Sequence, residues 1–249
     1  MSGRVQGSRR ANKATPCYLC GKDGADTTEH VVPRCLYVGS LPSDVITLPA
    51  HERCNKSTSR DEEVFRNHIS AAIPPENPGH ALWAKTWKAI HRPEGAGMQS
   101  AFYAEMLNGL APDDDGVLRP SPVVARLKRE RADWVLAKIV KGLYTSQTGD
   151  LLPSSKVRWL FGQADNGHEQ VALPGAFAVH DVLAVRWGRV QREPLATMWI
   201  LGFYGTLWFW ITTTPTTRTL SNRTRGARPM IWPPASARRA SALSCGVSP

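Results

Sequence analysis

The sequence predicts an α+β fold, in which a Cys- and His-rich N-terminal part precedes a helical middle and C-terminal antiparallel strands. Three observations support this order. Two short pairs of potential metal ligands lie in the first quarter of the chain. Apolar residues recur at helical spacing after residue 79, and runs rich in Trp and Thr follow residue 155. The 249 residues, 42% of them hydrophobic, suffice for one large domain or two small ones.

Residues 14–75 are predicted to form one compact unit. Short β-rich runs from Thr27 to Val32 and from Asp44 to Leu48 each end at a proline, which indicates two strands. Helix-forming polar sequence then extends from about His51 to Ala72. Within it, Ser59-Arg-Asp-Glu62 resembles a capping box, so we expect the helix to begin or restart there.

Residues 76–150 are predicted to be helical. Phe102, Met106 and Leu110 recur at helical spacing, and a further helix is expected from about Val123 to Tyr144. Both predictions depend on the period of the apolar residues.

Residues 151–215 favour strands. The expected strands are Lys156–Phe161, Ala176–Trp187, Leu195–Phe203 and Thr206–Thr213. The charge-free run from Leu195 to Thr213 approaches the length of a membrane span. Its aromatic residues, its threonines and two glycines favour two strands around a turn near Tyr204 and Gly205, so no stable membrane association is expected.

The net charge of +10 is carried by the two ends of the chain. Residues 1–13 and 216–249 hold ten basic side chains and no acidic one, whereas the segment between them is balanced. We expect a flexible basic arm at the start and a disordered basic tail, rich in Thr, Arg, Pro and Ser, at the end. Such arms suit the phosphate backbone of a nucleic acid. The alternative is that they only aid solubility.

Four of the five cysteines precede residue 55, and the first thirteen residues lack the apolar stretch of an export signal. We therefore expect a cytoplasmic protein in which Cys and His bind metal instead of forming disulfides. Two residues separate Cys17 from Cys20, and two separate His51 from Cys54, which is the spacing of a four-ligand structural zinc site. Cys35 is the rival of His51 for the remaining ligand position.

A candidate catalytic centre lies between these two pairs. Glu29 and His30 put a carboxylate beside an imidazole, and Asn55 directly follows the last zinc ligand. Histidine is a natural base for the water in phosphodiester hydrolysis, and Mg²⁺ or Mn²⁺ prefers carboxylate and amide oxygens. Glu29 and His30 must lie at a bend or strand end to share a site, because neighbouring strand residues point to opposite faces. Arg34 and Lys56 flank the centre, as phosphate ligands or as ordinary surface residues.

The motifs Cys-x-x-Cys, Glu-His-Val-x-Pro, His-x-x-Cys-Asn-x-Ser and Asp61-Glu-Glu-Val-Phe-Arg66 together resemble the HNH endonuclease family. The resemblance covers about residues 15–70 and implies a zinc-binding ββα-metal fold for the N-terminal unit. It implies cleavage of DNA by a divalent-metal-dependent enzyme that leaves 5′-phosphate and 3′-hydroxyl ends. It also implies His30 as the general base, with Glu29 and Asn55 as the protein ligands of the catalytic Mg²⁺ or Mn²⁺.

The chain departs from the family pattern at two positions. Glu29 stands where the family usually has Asp, which lengthens the ligand by one methylene. The family's middle Asn is absent, and Ser43 or Asp44 lies in its place. Asp44 could accept a hydrogen bond from His30 and orient it.

Two functions remain open at this point. The first is an HNH endonuclease that hydrolyses DNA, and the alternative is a zinc-stapled nucleic-acid-binding protein without cleavage activity. The sequence does not choose between DNA and RNA, nor does it indicate an oligomeric state.

Overall fold

The computed structural model describes residues 15–112, 118–125, 129–152, 155–163 and 173–215. The basic arm and the basic tail expected from the sequence lie outside these residues. Helices and antiparallel sheets are combined in the described part, so the expected α+β class is confirmed. The helices are α1 (Glu52–Lys56), α2 (Ser59–Ala71), α3 (Ala81–Ile90), α4 (Ala96–Glu105) and α5 (Arg129–Thr148). The strands are β1 (Thr27–His30), β2 (Thr47–Ala50), β3 (Met106–Pro112), β4 (Leu118–Ala125), β5 (Ser155–Gln163), β6 (Gly175–Val179), β7 (Leu183–Val190), β8 (Glu193–Phe203) and β9 (Leu207–Pro215).

The first two strands form an antiparallel hairpin in which Glu29 lies opposite Leu48. The second strand was expected from Asp44 to Leu48 with Pro49 as its end, but β2 begins at Thr47 and includes Pro49. The carbonyl of Pro49 accepts a hydrogen bond from the backbone N–H of Tyr18 at 3.1 Å, so it points away from β1. The proline nitrogen points to the same outer side, where its missing N–H removes no bond between the strands.

The single helix expected from His51 to Ala72 is interrupted after α1. Thr58 is the N-cap residue of α2, and its hydroxyl donates to the carboxylate of Glu62 at 2.9 Å. The expected capping box began one residue later, at Ser59. The break brings α1, which directly follows the hairpin, to the start of α2.

The largest sheet has five antiparallel strands in the order β5-β9-β8-β7-β6. Helix α2 packs on this sheet through Phe65, whose ring centroid lies 5.5 Å from that of Phe203 and 5.9 Å from that of Phe209. Helix α5 reaches the sheet through Tyr144, whose ring centroid is 6.3 Å from that of Trp187. One hydrophobic core therefore contains residues of the N-terminal unit, the helical middle and the C-terminal strands.

Two predictions of helical segments were wrong. The helix expected through Met106 and Leu110 ends at Glu105, because residues 106–112 pair with β4. The helix expected from Val123 begins only at Arg129, since the Val123-Val124 run belongs to β4. Helical periodicity was outweighed in both segments by pairing between β3 and β4, and the β-branched residues Val123 and Val124 favour a strand in the second segment.

The single strand expected from Ala176 to Trp187 is two strands. Val179 pairs with Leu183, and His180 has a φ of 50°, which turns the chain back. By contrast, the turn expected near Tyr204 and Gly205 is confirmed, because it joins β8 to β9. Among the described residues, we find no helix with the length and apolar character needed to span a membrane.

Helix α5 also packs closely against the end of the N-terminal hairpin. A Cβ added at Gly142 would lie 2.6 Å from both γ carbons of Val31. Valine is stiff at χ1 and cannot easily move aside. The two elements are therefore in contact at a distance that only glycine allows.

We expect Gly142→Ala to lower the free energy of unfolding by about 1–3 kcal/mol, because overpacking outweighs the roughly 1 kcal/mol that alanine offers a helix. Urea unfolding measures this change. Gly97→Ala is the matched control, since a Cβ at Gly97 in α4 would meet no atom within 4 Å. A Gly142→Ala protein as stable as the wild type would contradict the close contact.

Candidate functional site

Four side chains near the start of the chain form a group that can hold a metal ion. The ligand atoms of Cys17, Cys20, His51 and Cys54 all lie within 4.8 Å of one another. The Nδ1 atom of His51 is 3.4 Å from the sulfur of Cys20 and 3.9 Å from that of Cys54. Zinc bonds of about 2.0–2.3 Å in a tetrahedron require ligand atoms about 3.3–3.8 Å apart. Three Cys and one His in this arrangement are therefore a donor set that fits zinc.

The imidazole of His51 is oriented by a second contact. Its Nε2 atom lies 3.0 Å from the backbone carbonyl oxygen of Asp23. A carbonyl only accepts hydrogen bonds, so Nε2 carries the proton and the lone pair of Nδ1 faces the cysteines. The backbone N–H of His51 also donates to the sulfur of Cys17 at 3.3 Å.

Cys35, the sequence-based rival of His51, lies outside this group. Its sulfur is 3.6 Å from the carbonyl oxygen of Glu62, and burial raises the pKa of its thiol to about 11. The Cys35 sulfur therefore has a contact of its own, and it is not one of the four clustered ligand atoms.

A pocket of about 510 Å³ lies beside the metal-binding group, at the end of β1 and the start of α2. It is lined by Thr28, Glu29, His30, Arg34, Cys35, Asn55, Ser59, Glu62, Glu63 and Arg66. Four of these are site residues predicted from the sequence, namely Glu29, His30, Arg34 and Asn55. Because β1 ends at His30, the alternation of a strand need not continue, and two adjacent side chains line one pocket.

A buried lysine from a distant part of the chain lies beneath the pocket. The ammonium group of Lys138, in the middle of α5, contacts carboxylate oxygens of both Glu29 and Glu62. The side chain of Lys138 is 1% exposed, and those of Glu29 and Glu62 are 8% and 13% exposed. The bonded oxygen of Glu62 also accepts from the hydroxyl of Thr58, so this carboxylate is held from two sides.

The electrostatic surroundings of His30 favour its neutral form. Burial lowers the pKa of this imidazole, and the positive charges of Arg34 and Lys138 lower it further. The negative charge of Glu62 raises the pKa, but by less. Burial raises the pKa of Glu29, while the hydrogen bond and charge of Lys138 act in the opposite direction. A neutral imidazole can accept a proton from water, which is the role of a general base.

A second arginine, which the sequence did not single out, lines the same pocket. Arg66 is buried, and its guanidinium donates two hydrogen bonds to the amide oxygen of Asn67, at 2.8 and 3.2 Å. Glu63 lies 3.6 Å away on the preceding turn of α2. These contacts hold Arg66 in place, and together with Arg34 it gives the pocket two groups that suit a phosphate.

Two predicted site residues lie elsewhere. The carboxylate of Asp44 is 3.3 Å from the Nε2 atom of His180, and its side chain is 79% exposed. Asp44 does not line the pocket, and its partner is His180 instead of the expected His30. Lys56 forms an exposed ion pair with Glu52 at 2.7 Å and also lies outside the pocket.

The divalent ion expected at Glu29 and Asn55 does not fit this arrangement. Both residues line the pocket, but the carboxylate of Glu29 is already bonded to the buried ammonium of Lys138. A hard cation bound to this carboxylate would lie close to an ammonium group of the same sign. The only group of three or more Cys, His and acidic ligands found among the described residues is the Cys17/Cys20/His51/Cys54 set.

Sequence reasoning missed Lys138 because its partners are 109 and 76 residues away. One signal was nevertheless present. Lys138 is a single charge within the apolar run Trp134-Val-Leu-Ala-Lys-Ile-Val140 of a helix. A lysine on a core-facing stripe is seldom fully buried without a partner, so this pattern indicates an acidic group in the core.

A scan of protein-family models, a search of curated proteins and a search of solved structures each found no match to this chain.

Proposed function

We propose that this chain hydrolyses phosphodiester bonds of nucleic acid, with His30 as the general base. The observation that carries the proposal is the pocket in which His30, with a lowered pKa, lies together with Arg34 and Arg66. An anion-binding pair beside a neutral imidazole suits a reaction in which water attacks a phosphorus atom. The HNH-like motifs of residues 15–70 support the same reaction.

In the proposed reaction, His30 takes a proton from a water molecule while the water oxygen attacks phosphorus. The bond between phosphorus and the leaving oxygen breaks, and the leaving oxygen takes a proton from solvent. Arg34 and Arg66 stabilise the negative charge on the phosphoryl oxygens. Asn55 lines the same pocket, where its amide can bind a phosphate oxygen. The expected Mg²⁺ or Mn²⁺ has no step in this proposal, because Glu29 is bonded to Lys138.

The four-ligand group would act only as a structural support. Zinc bound by Cys17, Cys20, His51 and Cys54 would fix α1 against the segment before β1, and Asn55 directly follows the last ligand. This arrangement would hold the amide of Asn55 at the pocket.

The proposal is tested with the zinc-loaded full chain and supercoiled plasmid DNA, single-stranded DNA and RNA as substrates. We expect nicking or cleavage of at least one substrate, followed on gels over time. Nucleic acid that is retarded on a native gel but never cut would contradict hydrolysis.

That outcome would favour the second candidate, a zinc-stapled nucleic-acid-binding unit without cleavage. The observation that favours this candidate is the bond between Lys138 and Glu29, because it occupies the carboxylate that the HNH resemblance assigns to a catalytic ion. Both candidates use the same arginines for phosphate, so binding alone does not separate them.

The pH dependence of cleavage gives a further prediction. His30 must be neutral to accept a proton, so the rate rises with pH through the pKa of His30. Because that pKa is lowered, we expect the midpoint of this rise below the ordinary value of about 6.5. Arg34→Gln removes one of the positive charges that lower the pKa, so the midpoint should move to higher pH. The measurement is kcat/KM as a function of pH.

Lys56→Gln is the control for this shift, since Lys56 also carries one positive charge but lies outside the pocket. We expect the midpoint of the Lys56→Gln variant to equal that of the wild type. A wild-type midpoint above 6.5, or the same midpoint after Arg34→Gln, would be inconsistent with His30 as the titrating base.

A further inference from the structure

We propose that the ammonium group of Lys138 is the resident cation of the Glu29–Glu62 pair, where it takes the place of a bound divalent ion. The binding part of this inference stands on the geometry alone. Only its catalytic consequence, cleavage without added divalent ion, rests on the proposed function.

Lys138 binds both carboxylates through direct, buried contacts. Its ammonium group bridges two carboxylates that come from different elements, Glu29 from β1 and Glu62 from α2. All three side chains are buried or nearly so, and the hydroxyl of Thr58 fixes the shared oxygen of Glu62. A metal ion between two carboxylates would join the same two elements in the same way.

The neighbours of Lys138 are apolar, so an apolar side chain would pack against them as well as a charged one. Its neighbours on α5, among them Val135, Leu136, Ile139 and Val140, are fully buried apolar residues. A buried ion pair is often no more stable than apolar residues of similar volume. We therefore assign the positive charge of Lys138 to neutralising the carboxylates of Glu29 and Glu62.

The same position excludes a second cation. An ion bound to the Glu29 carboxylate would lie within a few ångströms of the ammonium group, where the two positive charges repel each other. Lys138 cannot move far, because its side chain is 1% exposed and is enclosed by the core. We therefore infer that the wild-type pocket binds no divalent ion at Glu29.

The test is Mn²⁺ binding to the zinc-loaded full chain, measured by calorimetry and by the shift in melting temperature. Wild-type protein is expected to show no saturable Mn²⁺ binding in the pocket and no shift. Lys138→Met leaves two buried carboxylates without a cation, so this variant should melt at a lower temperature. Mn²⁺ should then bind one site and raise its melting temperature by at least about 5 °C, since a ligand of the folded state stabilises it.

The double variant Glu29→Gln with Lys138→Met is the matched control. It lacks both the cation and one of the carboxylates, so Mn²⁺ should not restore its stability. Lys138→Gln, which is one bond shorter and ends in an uncharged polar group, replaces Lys138→Met if the latter does not fold. Wild-type protein that binds Mn²⁺ as tightly as the charge-deleted variant would overturn the inference, and so would a folded Lys138→Gln protein that binds none.

Cleavage assays separate this inference from the proposed function. In buffer freed of divalent ions, the zinc-loaded wild type should cut its substrate at the same rate with and without added Mg²⁺. A strict requirement for Mg²⁺ would overturn the inference while supporting hydrolysis. If no substrate is cut under any condition, the proposed function fails, and the Mn²⁺ measurements still decide whether Lys138 is the cation.

Discussion

Replacement of Cys54 by serine is expected to release zinc and to unfold the segment before β1, residues 15–26. The small core beneath this segment consists of four buried residues, Cys17, Tyr18, Ala25 and Ala50. Such a core cannot hold the segment without the metal, and zinc-finger peptides gain about 10–16 kcal/mol of apparent binding free energy from zinc. Metal analysis should therefore show loss of zinc, and thermal unfolding should show an early transition that the wild type lacks.

Cys35→Ser is the matched control for this experiment. Cys35 is half-buried and near the site, but its sulfur belongs to no ligand group. We expect this variant to retain one zinc per chain and to melt close to the wild-type temperature. If Cys35→Ser lost zinc while Cys54→Ser kept it, the assigned ligand set would be wrong.

Replacement of His30 by alanine is expected to reduce the cleavage rate by about 10²–10⁴-fold, the usual contribution of a general base. The imidazole lines the pocket at the end of β1, and its truncation removes the group that acts as the base in the proposed reaction. Its ring is only partly buried, so the zinc content and the melting temperature should change little. Rates are best measured on one substrate at saturating concentration, well above the pKa of His30.

His91→Ala is the corresponding control. His91 is exposed at the end of α3 and contacts Trp87 and Tyr103 outside the pocket. The rate of cleavage by this variant should equal that of the wild type. Full activity of the His30→Ala protein would instead assign the base to another group, or the cleavage to a contaminant.

The four candidate metal ligands and the pocket residues differ from Lys138 in how far the sequence could predict them. The four candidate metal ligands can be predicted from their spacing, because two intervening residues let both members of a pair reach one ion. They are Cys17, Cys20, His51 and Cys54. Glu29 and Asn55 reach one pocket because the hairpin that carries Glu29 lies between the two pairs, and Asn55 in α1 directly follows the second pair. The relative positions of these residues depend mainly on the N-terminal unit itself, so they can be predicted without knowing the rest of the fold.

Contacts between segments that are far apart in the sequence could not be predicted from local patterns. Lys138 meets Glu29 only because α5 packs under the hairpin, which no local pattern specifies. The segment Met106–Pro112 has helical periodicity, yet it pairs with β4 as a strand. In both cases the outcome was decided by surfaces that come together only in the folded chain. Asp44 lies within the N-terminal unit, but its distance from the pocket depended on the course of a loop.

Helix α5 has a consequence for how this protein is made. One face of the helix supplies Lys138 to the acidic pair. Three residues later, Lys141 donates to the carbonyl oxygen of Leu19, which lies between Cys17 and Cys20, at 2.9 Å. A ribosome that has produced the first hundred residues has released every cysteine of the metal group but neither lysine. The nascent chain can therefore capture zinc early, while its acidic pair stays without an ammonium partner until α5 emerges and docks.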